Sequence, residues 1–358
     1  MKTGVISLIV AICCTAAAHA QKKDPYKNVD GDVRLKALRY AQVWMPSDIA
    51  SKDLKTGPAG KGSFEPGATV KCDYVEAKQT GTPKFDCAIS PDDTIRVKYG
   101  EENGEIYSEV IASRLLWALG FGADHVYPVT VVCTGCPADP MKSHKRGDGT
   151  RTFRAAVIER KFAGDEIELH KDSGWGWVEL TFVDQTSGGA PLAHRDALKL
   201  LAAFIQHTDT KPQQQRLVCL DREKGLKPAE DRTCANPFMM INDLGKTFGK
   251  ASMFNSDRPS AVNLKEWSSA PVWKDDEGCV AYLPKSMTGT LEHPKIGEAG
   301  RKFLSGLLAQ LSDQQLRDMF EAGRVTQRDP SASVDDWVMS FKKKRDELSS
   351  RSCGIVDN

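Results

Sequence analysis

Apolar and polar positions alternate along Thr69 to Glu76, where Val70, Cys72 and Tyr74 face one way and Thr69, Lys71 and Asp73 the other. That period of two predicts a half-buried strand. A turn follows over 78–83, and two more strands are expected over 84–89 and, after Pro91-Asp92-Asp93, over 94–99. The period then changes. Ile106, Val110, Ser113 and Trp117 fall on one helical stripe, with Glu109, Ala112 and Leu116 beside it, so 105–119 reads as a helix closed by Gly120-Phe121-Gly122. Strands are expected over 126–132 and 153–162, an apolar helix over 197–205, and two short strands over 216–220 and 237–241. Helices close the chain over 297–310, 313–322 and 334–348, the last two behind capping signals at Ser312 and Ser333. Strands first and helices later make an α+β chain. Residues 21–67 are polar apart from one short helix over 32–41, and 56–67 reads as linker; no internal repeat is found.

The first twenty residues are of another kind. Lys2 precedes the apolar run Val5 to Ile12, and Ala18-His19-Ala20 fits a cleavage site, so 1–20 reads as an export signal cut after Ala20. The run is too short for a lasting membrane span, and no later segment qualifies. A secreted or periplasmic location is expected. The chain has 49 basic and 48 acidic residues; loss of Lys2 leaves 48 of each. A neutral surface argues against nucleic acid as a partner.

Eight cysteines follow the signal, an even number that reads as a disulfide set in an exported chain. Spacing does not fix connectivity, but proximity suggests Cys72–Cys87, Cys133–Cys136, Cys219–Cys234 and Cys279–Cys353. The third would close a charged insert, for about 3 kcal/mol of loop entropy. Cys133-Thr134-Gly135-Cys136 lacks the strand–helix–strand setting of a redox pair, and no second such motif completes a zinc site.

Candidate chemistry gathers at two places. His207-Thr208-Asp209-Thr210-Lys211-Pro212-Gln213-Gln214 lies on a loop between an apolar helix and a strand, where side chains are readily presented. Pro212 enforces the break. Downstream, Asn242-Asp243-Leu244-Gly245 ends the strand over 237–241, so a carboxylate beside a flexible glycine can reach a hard cation.

The loop resembles the His-Arg-Asp-Leu-Lys-Pro-x-Asn catalytic loop of protein kinases at His207, Asp209, Lys211 and Pro212, with Gln214 in place of the Asn. Asp243-Leu244-Gly245 resembles the kinase Asp-Phe-Gly. Three strands, a strand lysine (Lys98) and a helix glutamate (Glu109, with Glu105 one turn away) match the order of the kinase small lobe. The pattern from Glu109 to Gly120 is similar to the helix of HipA-type kinases. The resemblance covers about 69–249, nearest to the secreted or HipA-like atypical kinases, and lacks a Gly-rich loop over the phosphates.

What the resemblance implies is a two-lobed, disulfide-stabilised kinase-like fold, with an extension over 21–67, a small β-rich lobe over 68–162 and a larger helical lobe over 163–358. ATP with Mg or Mn would bind between lobes. Lys98 would touch phosphates, Glu109 would hold Lys98, and Asp243 and Gln214 would ligate metal. Asp209 would accept or orient the proton of the acceptor hydroxyl of a protein or small molecule, Lys211 would neutralise transferred charge, and His207 would be structural. The strand over 153–162 would lead to the adenine, and 252–269 would serve as an activation segment. Two other outcomes share the fold: an inactive pseudokinase binding module, and a transferase of AMP or an amino acid. Trp175 and Trp177 read as packing aromatics, and Lys342 to Arg345 as a solvated helix face.

Overall fold

The computed structural model describes residues 25–171, 173–249, 261–274 and 278–353. The export signal and the first part of the expected activation segment lie outside the described residues. The chain is a mixed α+β protein. Helix α1 (Gly31–Tyr40) precedes strands β1 (Thr69–Val75), β2 (Lys84–Ser90) and β3 (Asp93–Tyr99), helix α2 (Glu105–Leu119), and strands β4 (His125–Thr134) and β5 (Thr150–Arg160). Then come β6 (Asp165–Glu166), α3 (Leu192–Phe204), β7 (Gln215–Cys219) and β8 (Pro237–Ile241). The helices α4 (Leu264–Ser269), α5 (Glu298–Leu308), α6 (Asp313–Ala322), α7 (Val325–Arg328) and α8 (Val334–Ser350) finish it.

The five early strands close into a barrel in the order β1-β2-β3-β5-β4. Antiparallel pairs set Tyr74 against Cys87, Lys84 against Lys98, and Lys98 against Val157, and a parallel β1–β4 pair, with Cys72 against Cys133, completes closure. Closure removes the open sheet edges that would otherwise pair with other chains. Phe85, Val97, Val131 and Ile158 fill the interior, as the alternation of their strands requires.

A larger apolar cluster joins α2, α3 and the C-terminal helices. Its aromatic centre stacks Trp267 on Trp337 at 5.7 Å, with Phe204, Phe248, Phe320 and Phe341 edge-on or tilted around the pair. Every residue of α2 but Trp117 is buried. A helix buried on all sides belongs to an interior rather than a surface, and this one lies between the barrel and the helical cluster. Gly120 ends it at φ 87°, where a side chain would collide with the Met45 carbonyl.

Residues 25–56 pack closely rather than trailing as a tail. Arg34 of α1 bonds Glu179 and the Gly174 carbonyl (2.7 Å), and the fully buried Arg114 of α2 donates to the carbonyls of Leu54, Lys55 and Thr56 at 2.7–3.1 Å. These anchors come from remote parts of the sequence, so local composition does not betray them. All four suggested cysteine pairs stand at disulfide distance, with Cα–Cα separations of 5.6, 5.7, 5.8 and 5.5 Å in chain order. Trp175 is fully enclosed and donates to the Arg216 and Met240 carbonyls, in keeping with a packing role. No helix among the described residues is long and apolar enough to cross a membrane.

Candidate functional site

Alternation along β3 points Ile95 and Val97 into the barrel and Lys98 outward, where α2 covers it and leaves it 3% exposed. Glu105 and Glu109 stand four residues apart on α2 and so share the face it presents. The Lys98 ammonium bonds the Glu109 carboxylate and lies 3.6 Å from Glu105 and 3.5 Å from Glu159 of β5. Asp243, just past the end of β8, completes the group. Oxygens of Glu105, Glu109 and Asp243 all lie within 4.8 Å of one another.

The turn after Asp243 is clamped onto α2. Ser108 donates to the Gly245 carbonyl at 2.7 Å, and a side chain at Gly245 would strike Glu105 and Glu109. Thr82, in the turn between β1 and β2, donates to Glu105 at 2.7 Å.

Burial works against charge on Lys98, but Glu109, Asp243, Glu159 and Glu105 hold its pKa well above the ordinary value, so it stays protonated. Burial pushes the Asp243 carboxyl up; Lys98, the Gly245 N–H and His207 outweigh it and bring the group to about 2. Glu109 is pushed up, by burial first and then by the neighbouring carboxylates, against the pull of Lys98. One cation faces four acidic groups, and Glu109 carries the strain of that imbalance.

A second group forms on the loop between α3 and β7. Asp209 is nearly buried and accepts from Lys211 (3.0 Å) and from the Gln214 amide (2.9 Å), with Lys246 at 3.6 Å. Burial raises the Asp209 pKa, but these donors and lysines leave it below the ordinary carboxylate value. Such a group is a weak base at neutral pH and better suited to orienting a hydroxyl than to removing its proton. The loop is fixed at both ends. Thr208 donates to the Lys246 carbonyl, while Thr210 accepts from Thr290 and Leu291.

The two groups meet through the backbone, because the Asn242 and Asp243 amides both donate to the Gln214 carbonyl (2.9 and 3.3 Å). Lys98, Glu109 and Asp243 thus come together on one side, and Asp209, Lys211 and Gln214 on the other. The Gln214 side chain turns toward Asp209. Glu159, Lys246 and Thr82 were not singled out from sequence; Glu159, an acid closing the apolar run Ala155 to Ile158, was the one with a visible signal. Beside Glu159 opens a cleft of about 560 Å³, walled by Ile95, Arg160, Lys161, Ile167 and Leu217 among others. The end of β5 therefore borders both the cleft and the Lys98 group.

His207 is fully buried within electrostatic reach of Asp209 and Asp243, and neither ring nitrogen has a hydrogen-bond partner among the described residues. Burial lowers its pKa from 6.5 to about 4 despite both carboxylates. Between those values the unfolded chain takes a proton that the folded chain refuses, so stability is full above pH 6.5 and falls as pH drops toward 4. At 1.36 kcal/mol per unit the loss is about 3 kcal/mol. His207→Leu should flatten that slope in urea denaturation at a series of pH values; an unchanged slope would assign the acid sensitivity elsewhere.

No family model matches the chain, and no curated protein does. Among solved structures, the Helicobacter pylori proinflammatory kinase CtkA is similar at 10% identity over 80% of this chain and 95% of that one, with a TM-score of 0.42. A likeness that slight carries no argument about this chain, and the chemistry rests on the residues themselves.

Proposed function

We propose that this chain is a kinase-like phosphotransferase that uses ATP with Mg or Mn to modify a hydroxyl of a protein or small molecule, in a two-lobed fold whose cleft lies beside the end of β5. One observation carries the reading: a buried strand lysine paired to a helix glutamate stands beside Asp243, with Asp209 on the adjoining loop. Lys98 is suited to grip phosphate oxygens and Glu109 to hold Lys98 in place. Asp243 offers hard oxygen donors to a divalent cation, and Gln214, its amide nitrogen engaged by Asp209, has a carbonyl oxygen to add. A bound cation would supply charge neutralisation for the phosphates. Asp209 would orient the acceptor, and Lys211 and Lys246 would face the charge that develops near it.

A pseudokinase-type binding module is the second reading, favoured by the engagement of Gln214 with Asp209. Calorimetric titration of the oxidised, mature protein with ATP separates the two. The phosphotransferase reading expects ATP binding that requires Mg or Mn and weakens in Lys98→Ala. Tight binding indifferent to both added metal and Asp243→Ala would establish the module instead.

A further inference from the structure

We propose that Glu105, Glu109 and Asp243 form a protein-only site for a divalent cation, filled before any nucleotide arrives. Two oxygens bound to one ion are at most about 4–5 Å apart, twice a metal–oxygen distance of 2.0–2.6 Å. The three carboxylates here already meet that limit, each offering an oxygen within 4.8 Å of the others. They come from two rigid sources, since α2 presents Glu105 and Glu109 from successive turns and the bond from Ser108 to the Gly245 carbonyl fixes the Asp243 turn against the same helix.

The second oxygen of Glu109 is an independent pointer to a cation. Its residue is 2% exposed, yet Oε2 has no hydrogen-bond partner among the described residues. A buried carboxylate oxygen left unpaired is costly, and native sites satisfy such atoms with protein, water or an ion. Charge points the same way. Glu105, Glu109, Glu159 and Asp243 surround Lys98, and even with Lys84 also acting on Asp243 the carboxylates outnumber the lysines when all are ionised. Like charges this close repel one another even in a moderately screened site. A polyphosphate would add to that repulsion, whereas a divalent ion reduces it. The cation must therefore come first if phosphates are to approach Lys98. This ordering rests on the phosphotransferase reading; the cation binding does not.

The test uses Mn²⁺ alone on the oxidised, mature chain, followed by calorimetry and by the loss of free-ion signal in electron paramagnetic resonance. One bound Mn²⁺ is expected without nucleotide. Glu105→Gln and Asp243→Asn keep side-chain shape and should each weaken binding at least about tenfold, the lower range seen for disturbed metal sites. Circular dichroism checks that both variants are folded. Absence of Mn²⁺ binding without nucleotide, or equal affinity in both folded variants, overturns the site. ATP–Mg binding with no binding of Mn²⁺ alone would sink this inference and leave the phosphotransferase standing. Mn²⁺ binding without any ATP binding would do the reverse.

Discussion

For the proposed phosphotransferase, Asp209→Asn should leave ATP and metal binding unchanged yet slow turnover about 10²–10⁴-fold, the usual worth of an acid–base or orienting group. The division follows from position. Asp209 belongs to the group with Lys211, Lys246 and Gln214, set apart from the Lys98–Glu109–Asp243 group by the backbone at Gln214. Asn keeps the shape and can still accept from Lys211, so the loop held by Thr208 and Thr210 should stay in place. Asp243→Ala behaves differently, losing metal-dependent nucleotide binding and turnover together. Single-turnover phosphate transfer measured beside calorimetric ATP affinity reads both. Equal loss of affinity in the two variants would show that Asp209 serves the nucleotide rather than the acceptor.

Loss of the Cys279–Cys353 link should cost the most stability of the four. It spans 74 residues and ties the chain after α4 to the end of α8, where Arg351 donates to the Gly278 carbonyl and Cys353 to Glu298. In the chain-entropy model a loop of that size is worth about 4 kcal/mol, against less than about 2 kcal/mol for the short Cys133–Cys136 loop. Urea denaturation of the Cys279→Ala/Cys353→Ala and Cys133→Ala/Cys136→Ala double variants gives the comparison. If the long link costs no more than the short one, the entropy argument fails here and native-state contacts decide instead.

Much of the secondary structure was legible because each element obeys one period. Helix α2 begins and ends where its stripe and closing glycine predicted, and α6 likewise begins and ends at its predicted limits. The strands β4 and β5 run a few residues past their apolar cores, because pairing in a closed barrel extends hydrogen bonds into polar ends such as Thr150 and Arg151. The four cysteine pairs at disulfide distance are the ones that proximity along the chain and an even count suggested without fixing.

By itself the sequence determined where strands and helices form, with Lys98 on a strand, Glu109 on a helix, and Asp209 and Asp243 on the loops beside such elements, since periodicity, caps and glycines act over a few residues. Only the tertiary structure decided how those side chains meet. That Glu105 and Glu159 join Glu109 and Asp243 around one lysine depends on barrel register and on the burial of α2, set by contacts far apart in sequence. The same holds for Gln214, whose amide reaches Asp209 because the loop folds back there. Charge balance in a buried site is a property of three-dimensional neighbours, and no window of sequence contains it.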